Sequence, residues 1–380
     1  MNTFNTSKFI LAFCLFLGFQ ITHAQVILVV DNRASAPTGD HVFSDLQAAL
    51  DSASNYSAAN GNASVTIHVI PSSTNYGSVS VSSPVEMYGI GFNPDKDIPL
   101  KSQVTDINLN NGSSGSRITG LRVTNEIDIA QESGAYSVGN ISVENCNVRA
   151  IVVASGCCTS RTAVDNIIIR NSIIGNFSNT SAVPYLDLIS SYGIATNVIV
   201  TNTIIAGESD GATGAVEADG ALIKNVLFLG DGTSKHAFYG LTNSTVNNSI
   251  FYGRPPTHTT TSLQNNVFNN NISFGSDGDE SLPPVGTGSG NTGSGNLAAT
   301  DPELTDVAIG DTYLFTYDIT PIAAGASDDT GTDANDIGPT GGSIPWDNTG
   351  VPLPLIQELN ANEIIKQGDD LDVNVKARGN

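Results

Sequence analysis

The sequence predicts an all-β fold, a parallel β-helix whose short strands coil into stacked turns. Three observations predict it: a fragment that recurs, the alternation of apolar and polar residues within it, and the spacing of its copies. The fragment reads Ile-x-Val-x-Asn followed by a small residue, and its clearest copies begin at Ile141, Ile167 and Val198. Self-similarity at a regular period indicates a repeat protein, in which each unit stacks on its neighbours.

The asparagine of each copy gives the period. We assign it to Asn125, Asn145, Asn171, Asn202, Asn225, Asn248 and Asn271, with spacings of 20, 26, 31, 23, 23 and 23 residues. Such a period is too short for a strand-helix-strand unit, which needs about 30 residues, and it fits short strands joined by corners. We expect the asparagines to occupy corners, where they tolerate a left-handed backbone, and to stack as a ladder of amides. The alternative is that they only reflect an asparagine-rich surface.

The alternation within each copy separates core from surface, as in a half-buried strand. Ile141, Val143 and their equivalents point inward. The outward residues just before the asparagines are candidates to bind a linear polysaccharide, and they include Glu144, Arg170, Thr201 and Lys224. The alternative is an ordinary solvated face, in which a Glu144–Arg170 ion pair contributes less than about 1 kcal/mol.

The first 24 residues read as a signal peptide, with the basic residue Lys8, an apolar run over 9–19 and a cleavage sequence ending at Ala24. The apolar run is too short to span a bilayer, and no later segment is long and apolar enough to do so. We therefore expect a secreted or cell-surface protein. Residues 25–345 are predicted to form the β-helix domain, and residues 346–380 a Pro-rich linker and a C-terminal β tail.

The composition limits the partners. Lys and Arg number 15 against 37 Asp and Glu, a formal net charge of −22. Nucleic-acid binding requires a basic footprint and is excluded. Acidity is compatible with bound Ca²⁺ but equally with simple solubility. An extracellular polysaccharide or a cell-surface component is the expected partner.

A short amphipathic helix is predicted before the first turns, over residues 43–53. Ser44 is its expected N-cap, and Leu46, Ala49, Leu50 and Ala53 form its apolar face. The dry end of a solenoid needs a capping element, and we expect this helix to provide it.

Both ends of the chain carry a resemblance to a known family. A strand, the helix from Phe43 and the Val-Thr-Ile-His-Val strand from Val65 follow in order. Toward the C-terminus come Asp-Pro-Glu-Leu from Asp301, Tyr-Leu at Tyr313, and Asp-Ile-Gly-Pro-Thr-Gly-Gly from Asp336. Over residues 26–345 this arrangement resembles secreted right-handed parallel β-helix proteins of the pectate-lyase-like superfamily. The resemblance implies a right-handed coil whose C-terminal segment wraps the last turns, and it is specific for the fold more than for the activity.

Two further segments are assigned from composition. Residues 275–296 are almost wholly small and polar, and they are predicted to form a flexible loop. The tail after Trp346 is similar to tails of secreted proteins from the Bacteroidetes.

Three cysteines, Cys146, Cys157 and Cys158, remain after cleavage of the signal peptide. Export permits a disulfide from Cys146 to either of the others.

Catalytic candidates are weaker. The β-helix lyases need acidic Ca²⁺ ligands beside an Arg or Lys, and the richest acidic segment supplies Asp210, Glu217 and Asp219. Glu126 and Asp128 lie two apart on a strand, as the paired carboxylates of a glycosidase would. The basic groups suggested for catalysis are Arg149 and Arg170.

The sequence thus leaves two functions open. The first is a non-catalytic surface or extracellular protein for adhesion or polysaccharide binding, and it is favoured because no acid, base and metal group stands out. The second is a Ca²⁺-dependent polysaccharide lyase or a glycoside hydrolase acting on an acidic polysaccharide.

Overall fold

The parallel β-helix is confirmed by a computed structural model. The structure describes residues 26–34, 36, 39–91, 100–130, 137–153, 162–175, 185–189, 193–206, 214–232, 236–257, 262–285, 288–310, 313, 317–332, 334–346, 355–361 and 373–378. The predicted signal peptide, Asp210, Cys157 and Cys158 lie outside these residues.

The described residues contain one α-helix, α1, which spans Leu46–Ala59. The strands, in chain order from β1 to β28, are Ile27–Val30, Val42–Phe43, Val65–Val69, Val79–Val81, Val85–Tyr88, Gln103–Val104, Ile107–Leu109, Arg117–Thr119, Arg122–Ile129, Ser137–Glu144, Asn147–Val153, Thr162–Arg170, Ile173–Ile174, Leu186–Asp187, Gly193–Thr201, Ile204–Ala206, Val216–Asp219, Leu222–Lys224, Leu227–Leu229, Phe238–Thr242, Thr245–Asn247, Ile250–Tyr252, Ser262–Gln264, Val267–Asn269, Ile272–Phe274, Thr292–Ser294, Leu355–Ala361 and Val373–Arg378.

Two long parallel sheets form the coil. The first has 12 strands in the order β2-β1-β3-β5-β8-β10-β12-β15-β18-β21-β24-β26, and the second has 14 strands. The second sheet follows two sides of the coil, so a turn has three faces. Face 1 is the first sheet; face 2 contains β13, β16, β19, β22 and β25; face 3 contains β14, β17, β20 and β23. Successive strands such as β17, β18 and β19 make one turn.

Inward side chains stack in columns because neighbouring strands pair in register. On face 1 one column consists of Ile118, Val143, Ile169, Val200, Ile223, Val246 and Phe268. All of them are 0–1% exposed. On face 2 the rings of Phe228 and Phe251 stack with centroids 4.9 Å apart. These columns are the hydrophobic core that the alternation in the sequence predicted.

The helix α1 packs against β1, β3 and β4 at the N-terminal end of the coil. Its buried residues include Leu46, Ala49, Leu50 and Ala53, as predicted. The N-cap is Asp45 instead of Ser44, since the Asp45 carboxylate accepts a hydrogen bond from the Ala48 amide at 2.8 Å.

Left-handed asparagines occupy the corner between faces 1 and 2. This asparagine corner comprises Asn145, Asn171, Asn202, Asn225, Asn248 and Asn270, with φ between 47° and 55°. Two of the seven assignments were wrong. Asn125 lies inside β9, where its amide donates to Asp106 and its oxygen accepts from Arg149. Asn271 comes one residue after the corner and points into the core.

From Asn202 onward, the corner amides bind the C-terminal segment instead of stacking on one another. Asn202 Nδ2 donates to the carbonyls of Pro339 and Gly341, each at 2.7 Å. Further along, Asn225 donates to Gly338 O at 3.1 Å. Asn248 exchanges two hydrogen bonds with Thr332, and Asn270 donates to Thr330 O. The predicted amide ladder is therefore wrong at these four asparagines. We call residues 330–332 and 334–341, which they hold, the strap.

Asparagine amides do meet elsewhere in the coil. Asn166 donates to Asn140 at 2.7 Å at the corner where face 1 begins. Inside the last turns, Asn266 donates to Asn291 and Asn271 donates to Asn296. The predicted loop over 275–296 thus contains a further turn, in which β26 pairs with β24. Small polar residues suit this turn because asparagine carboxamides take the inward positions.

The closing segment covers face 2. The outward residues of that face are apolar, and they pack against Leu304, Val307, Tyr313, Ile319, Ile337 and Trp346. The face-2 partners are Ile173, Ile204, Leu227, Ile250 and Ile272. This burial is the reason why face 2 is apolar on both sides, and it agrees with the closing segment inferred from the sequence.

In the C-terminal tail, β27 and β28 form an antiparallel hairpin. Cys146 is a buried free thiol, so it does not take part in a disulfide here. None of the helical residues that the structure describes forms a segment long and apolar enough to cross a membrane.

Candidate functional site

The outward surface of face 1 carries two parallel columns of side chains. The polar column consists of Glu144, Arg170, Thr201, Lys224, Asn247 and Asn269, which pair strand by strand. The predicted binding residues therefore lie in one line. Strands in a sheet are about 4.8 Å apart, so the column presents one polar group at each such step along the axis.

An aliphatic column lies beside the polar one, two residues earlier on each strand. It consists of Ile168, Ile199, Leu222 and Val267, with Thr245 between the last two. Leu222 is 36% and Val267 37% exposed, and the two isoleucines are half-buried. We call the two columns together the strip. It has a polar edge and an apolar edge, and the sequence analysis predicted only the polar one.

Glu144 is a support within the strip. It is only 5% exposed and accepts hydrogen bonds from Arg117 at 2.5 Å, from Arg170 at 2.9 Å and from the Ser142 hydroxyl. Burial acts to raise the pKa of Glu144, but the hydrogen bonds from Ser142, Arg170 and Arg117 outweigh it and hold the pKa below its ordinary value. The carboxylate is therefore occupied by these donors: it positions two guanidinium groups, and the trio keeps one net positive charge.

Aromatic side chains extend the strip toward the N-terminus. The rings of His68 and Tyr88 stack at 5.8 Å, and the Arg117 guanidinium lies 5.9 Å from the centre of the Tyr88 ring. The Tyr88 hydroxyl donates to Glu86 at 3.0 Å. Burial lowers the pKa of His68. The sequence analysis missed this group because Tyr88 precedes the first clear copy of the repeat.

Face 3 carries a pair of carboxyl groups. Asp187 on β14 pairs in register with Glu217 on β17, so the two side chains share a face at neighbouring strands. Burial raises the pKa of Asp187 to about 6. Burial, followed by the charge of Asp187, raises the pKa of Glu217 to about 7. Asp187 Oδ1 is buried without a hydrogen-bond partner among the described residues. Glu217 was predicted as a metal ligand, whereas Asp187 was missed because its strand has no copy of the repeat motif.

These carboxyl groups predict a pH-dependent stability. Because their folded pKa values exceed the ordinary ones, the stability they contribute is complete below about pH 4 and is lost as the pH rises through 6–7. Glu217→Gln should therefore raise the free energy of unfolding by about 1–3 kcal/mol at pH 8 and leave it nearly unchanged at pH 4. Denaturant unfolding at both pH values measures this.

A matched control is Asp165→Asn, because the pKa of Asp165 is lowered by hydrogen bonds from Thr196 and Asn197. That variant should show no gain at pH 8. Equal effects of the two substitutions at pH 8 would contradict a pKa of Glu217 raised by burial and by the charge of Asp187.

The predicted calcium ligands do not assemble a site among the described residues. The Asp219 carboxylate already accepts hydrogen bonds from Thr242 and Asn243, at 2.7 and 2.8 Å. Asp210 lies outside the described residues. The two described members of the predicted set, Glu217 and Asp219, give no grounds for assigning metal chemistry here.

The predicted catalytic group divides between two faces. Arg149 lies 3.8 Å from Glu126 and donates to the Asn125 carbonyl and side chain. Asp128 is fully buried on β9. Arg170, by contrast, lies on face 1 with Glu144. Arg170 therefore does not join Glu126, Asp128 and Arg149 in one site.

Another acidic cluster lies at the strap. Ligand oxygens of Asp328, Asp329 and Asp336 lie within 4.8 Å of one another. Asp328 accepts a hydrogen bond from the Ala324 amide, and Asp336 accepts from the Asp329 amide and the Thr340 hydroxyl. These bonds are those of a turn, in which each carboxylate accepts from groups close to it in the chain.

The chain was compared with known proteins in three ways. Neither the models of protein families, nor the curated proteins, nor the solved structures contain a match to the chain.

Proposed function

We propose that this protein is exported and binds an acidic polysaccharide along the strip, without catalysis, at the cell surface or in the extracellular space. The observation that carries the proposal is the in-register polar column, in which Arg170, Thr201 and Lys224 follow one another along the axis. A linear polymer is the ligand that matches a linear array with equal steps.

The surfaces of the three faces support face 1 as the binding surface. Face 2 is covered by the closing segment, and face 3 carries negative groups at Asp187 and Glu217. The strip on face 1 combines exposed aliphatic groups with cations. Sugars have apolar C–H faces and polar rims, so a chain lying along the strip meets the two columns with its two kinds of surface.

The charge distribution favours binding of an anionic polymer at the strip over binding elsewhere on the surface. With a net charge of −22, most of the surface repels an anionic polymer, whereas Arg117, Arg170 and Lys224 attract it locally. Binding is therefore confined to the strip. The proposal includes a right-handed coil of the pectate-lyase-like type, supported by the strong right-handed preference of parallel crossovers.

Affinity electrophoresis of the full chain tests the proposal. Gels containing polygalacturonate or hyaluronan should retard it, and gels containing the neutral polymer dextran should not. Retardation should disappear near 1 M salt, where the Debye length falls to about 3 Å. Equal retardation by dextran, or none by either acidic polymer, would contradict the proposal.

A second candidate function is hydrolysis of an acidic polysaccharide, favoured by the carboxyl pair on face 3. With pKa values of about 6 and 7, Asp187 and Glu217 exchange protons near neutral pH, as a general acid and base require. Release of reducing ends from polygalacturonate, abolished by Glu217→Gln, would support this candidate. An unchanged polymer after long incubation would exclude it for that substrate.

A further inference from the structure

We infer that the strip selects a polysaccharide in which a charged sugar alternates with a neutral one. This inference rests on the function proposed above and specifies the ligand of the same site. It follows from the order of groups in the polar column, which places a cation, a neutral hydroxyl and a cation on successive strands: Arg170, Thr201 and Lys224.

The distance between the two cations sets the repeat length of the polysaccharide that they match. Arg170 and Lys224 are separated by two strand steps, or about 10 Å along the axis. A sugar unit in an extended chain advances by nearly one strand step. The two cations therefore face every second sugar, and the sugar between them faces Thr201.

Hydrogen bonding at Thr201 makes the middle position unsuited to a carboxylate. The Thr201 hydroxyl donates its proton to Asn202 Oδ1 at 2.7 Å. The Asn202 amide nitrogen is itself held by the strap carbonyls of Pro339 and Gly341, so its oxygen is fixed as the acceptor. Thr201 thus turns lone pairs outward, which accept from a sugar hydroxyl or amide and repel a carboxylate.

The neighbours of Thr201 agree with a neutral sugar at that step. Ile199, two residues earlier on the same strand, presents a half-buried aliphatic group beside it. Such a group suits the C–H face or the acetyl methyl of a neutral sugar, as Ile168 and Leu222 suit the C–H faces of the sugars on either side. Beyond Lys224 the column continues with Asn247 and Asn269, which also carry no charge.

On the other side of Arg170, the Glu144 step offers no cation of its own. The Glu144 carboxylate is only 5% exposed and is shared between Arg117 and Arg170, so a uronate at that step finds no unshared positive group. A polymer with a charge on every sugar places carboxylates against both Glu144 and Thr201. An alternating polymer avoids both.

The experiment compares hyaluronan, which alternates a uronate with a neutral acetylated sugar, with polygalacturonate of the same length at the same salt. Dissociation constants of the full chain should be at least fivefold lower for hyaluronan. Thr201→Lys fills the neutral step with a cation and should abolish or reverse that preference. The matched control Thr196→Lys places the same charge on the same strand outside the strip, and it should leave the preference unchanged.

The outcomes separate this inference from the proposed function. Binding of both polymers with equal affinity, or a preference for polygalacturonate, would overturn the alternation while leaving the strip as a binding site. An unchanged preference in Thr201→Lys would also overturn it. Failure of the wild-type chain to bind any acidic polymer would overturn both.

Discussion

Replacing Asn202 by glycine is expected to lower the free energy of unfolding by about 2–4 kcal/mol. Glycine keeps the left-handed backbone, for which Asn202 has a φ of 47°. What is lost is the amide that satisfies the Pro339 and Gly341 carbonyls. Asn202 is only 3% exposed, so these carbonyls lose a buried partner. Because the strap continues into the cover of face 2, its release also exposes apolar residues.

The matched control is Asn145→Gly. Asn145 has the same corner conformation, with a φ of 49°, but it lies beyond the part of the asparagine corner that holds the strap. This variant should change the free energy of unfolding by less than about 1 kcal/mol. Denaturant unfolding gives both numbers, and amide hydrogen exchange should show faster exchange over 330–346 in Asn202→Gly alone. Equal losses in the two variants would show that the amide is not a clamp.

Removing both cations from the strip is expected to lower the affinity for an acidic polysaccharide strongly. Arg170→Gln combined with Lys224→Gln should weaken binding of an acidic polysaccharide about ten- to thirtyfold, or about 1.4–2 kcal/mol. The reason is the loss of two charge-assisted contacts at partly exposed groups, each of which contributes about 1 kcal/mol. Isothermal titration with hyaluronan measures the change.

The control for net charge is Arg33→Gln combined with Lys101→Gln. Both residues precede β6 and lie outside the two columns of the strip. This double variant has the same net charge as the first and should bind nearly as well as wild type. A similar loss in both double variants would indicate that general charge, and not the strip, governs binding.

The repeat in the sequence was sufficient to predict the coil, because its alternation is a local property of each strand. It also placed Arg170, Thr201 and Lys224 in one column, since register follows from equivalent positions in successive turns. The aliphatic neighbours Ile168 and Ile199 lie within continuous apolar runs. Alternation does not distinguish an outward residue there, because apolar residues in a strand predict core.

The partners of the corner asparagines could not be predicted. Asn202 and Gly341 are far apart in the chain, and no local pattern indicates that a distant strap takes the amides. A stacked ladder was the expected solution because equivalent residues lie one strand step apart. The structure shows instead that corner amides donate to buried carbonyls of the strap, which need hydrogen-bond donors.

The polar turn at the C-terminal end was missed for a related reason. Residues 275–296 lack the apolar alternation of the other turns, so composition suggested a loop. Asn291 and Asn296 nevertheless fill inward positions and bind Asn266 and Asn271. Sequence rules that count only apolar residues as core overlook a turn held by amides. The Asp187–Glu217 pair escaped notice likewise, because cross-strand neighbours on face 3 are separated by long segments without the motif.

Methyl-labelled NMR of the full chain with hyaluronan tests the central claim most directly. The aliphatic column lies beside the polar column, so a polymer on the strip must touch its methyl groups. Binding should shift the methyl signals of Ile168, Ile199, Leu222 and Val267. The buried face-1 methyls of Ile169 and Val200 should stay nearly fixed. Shifts confined to Leu186 and Val216 beside the carboxyl pair, or no shifts at saturating polymer, would contradict a binding strip on face 1.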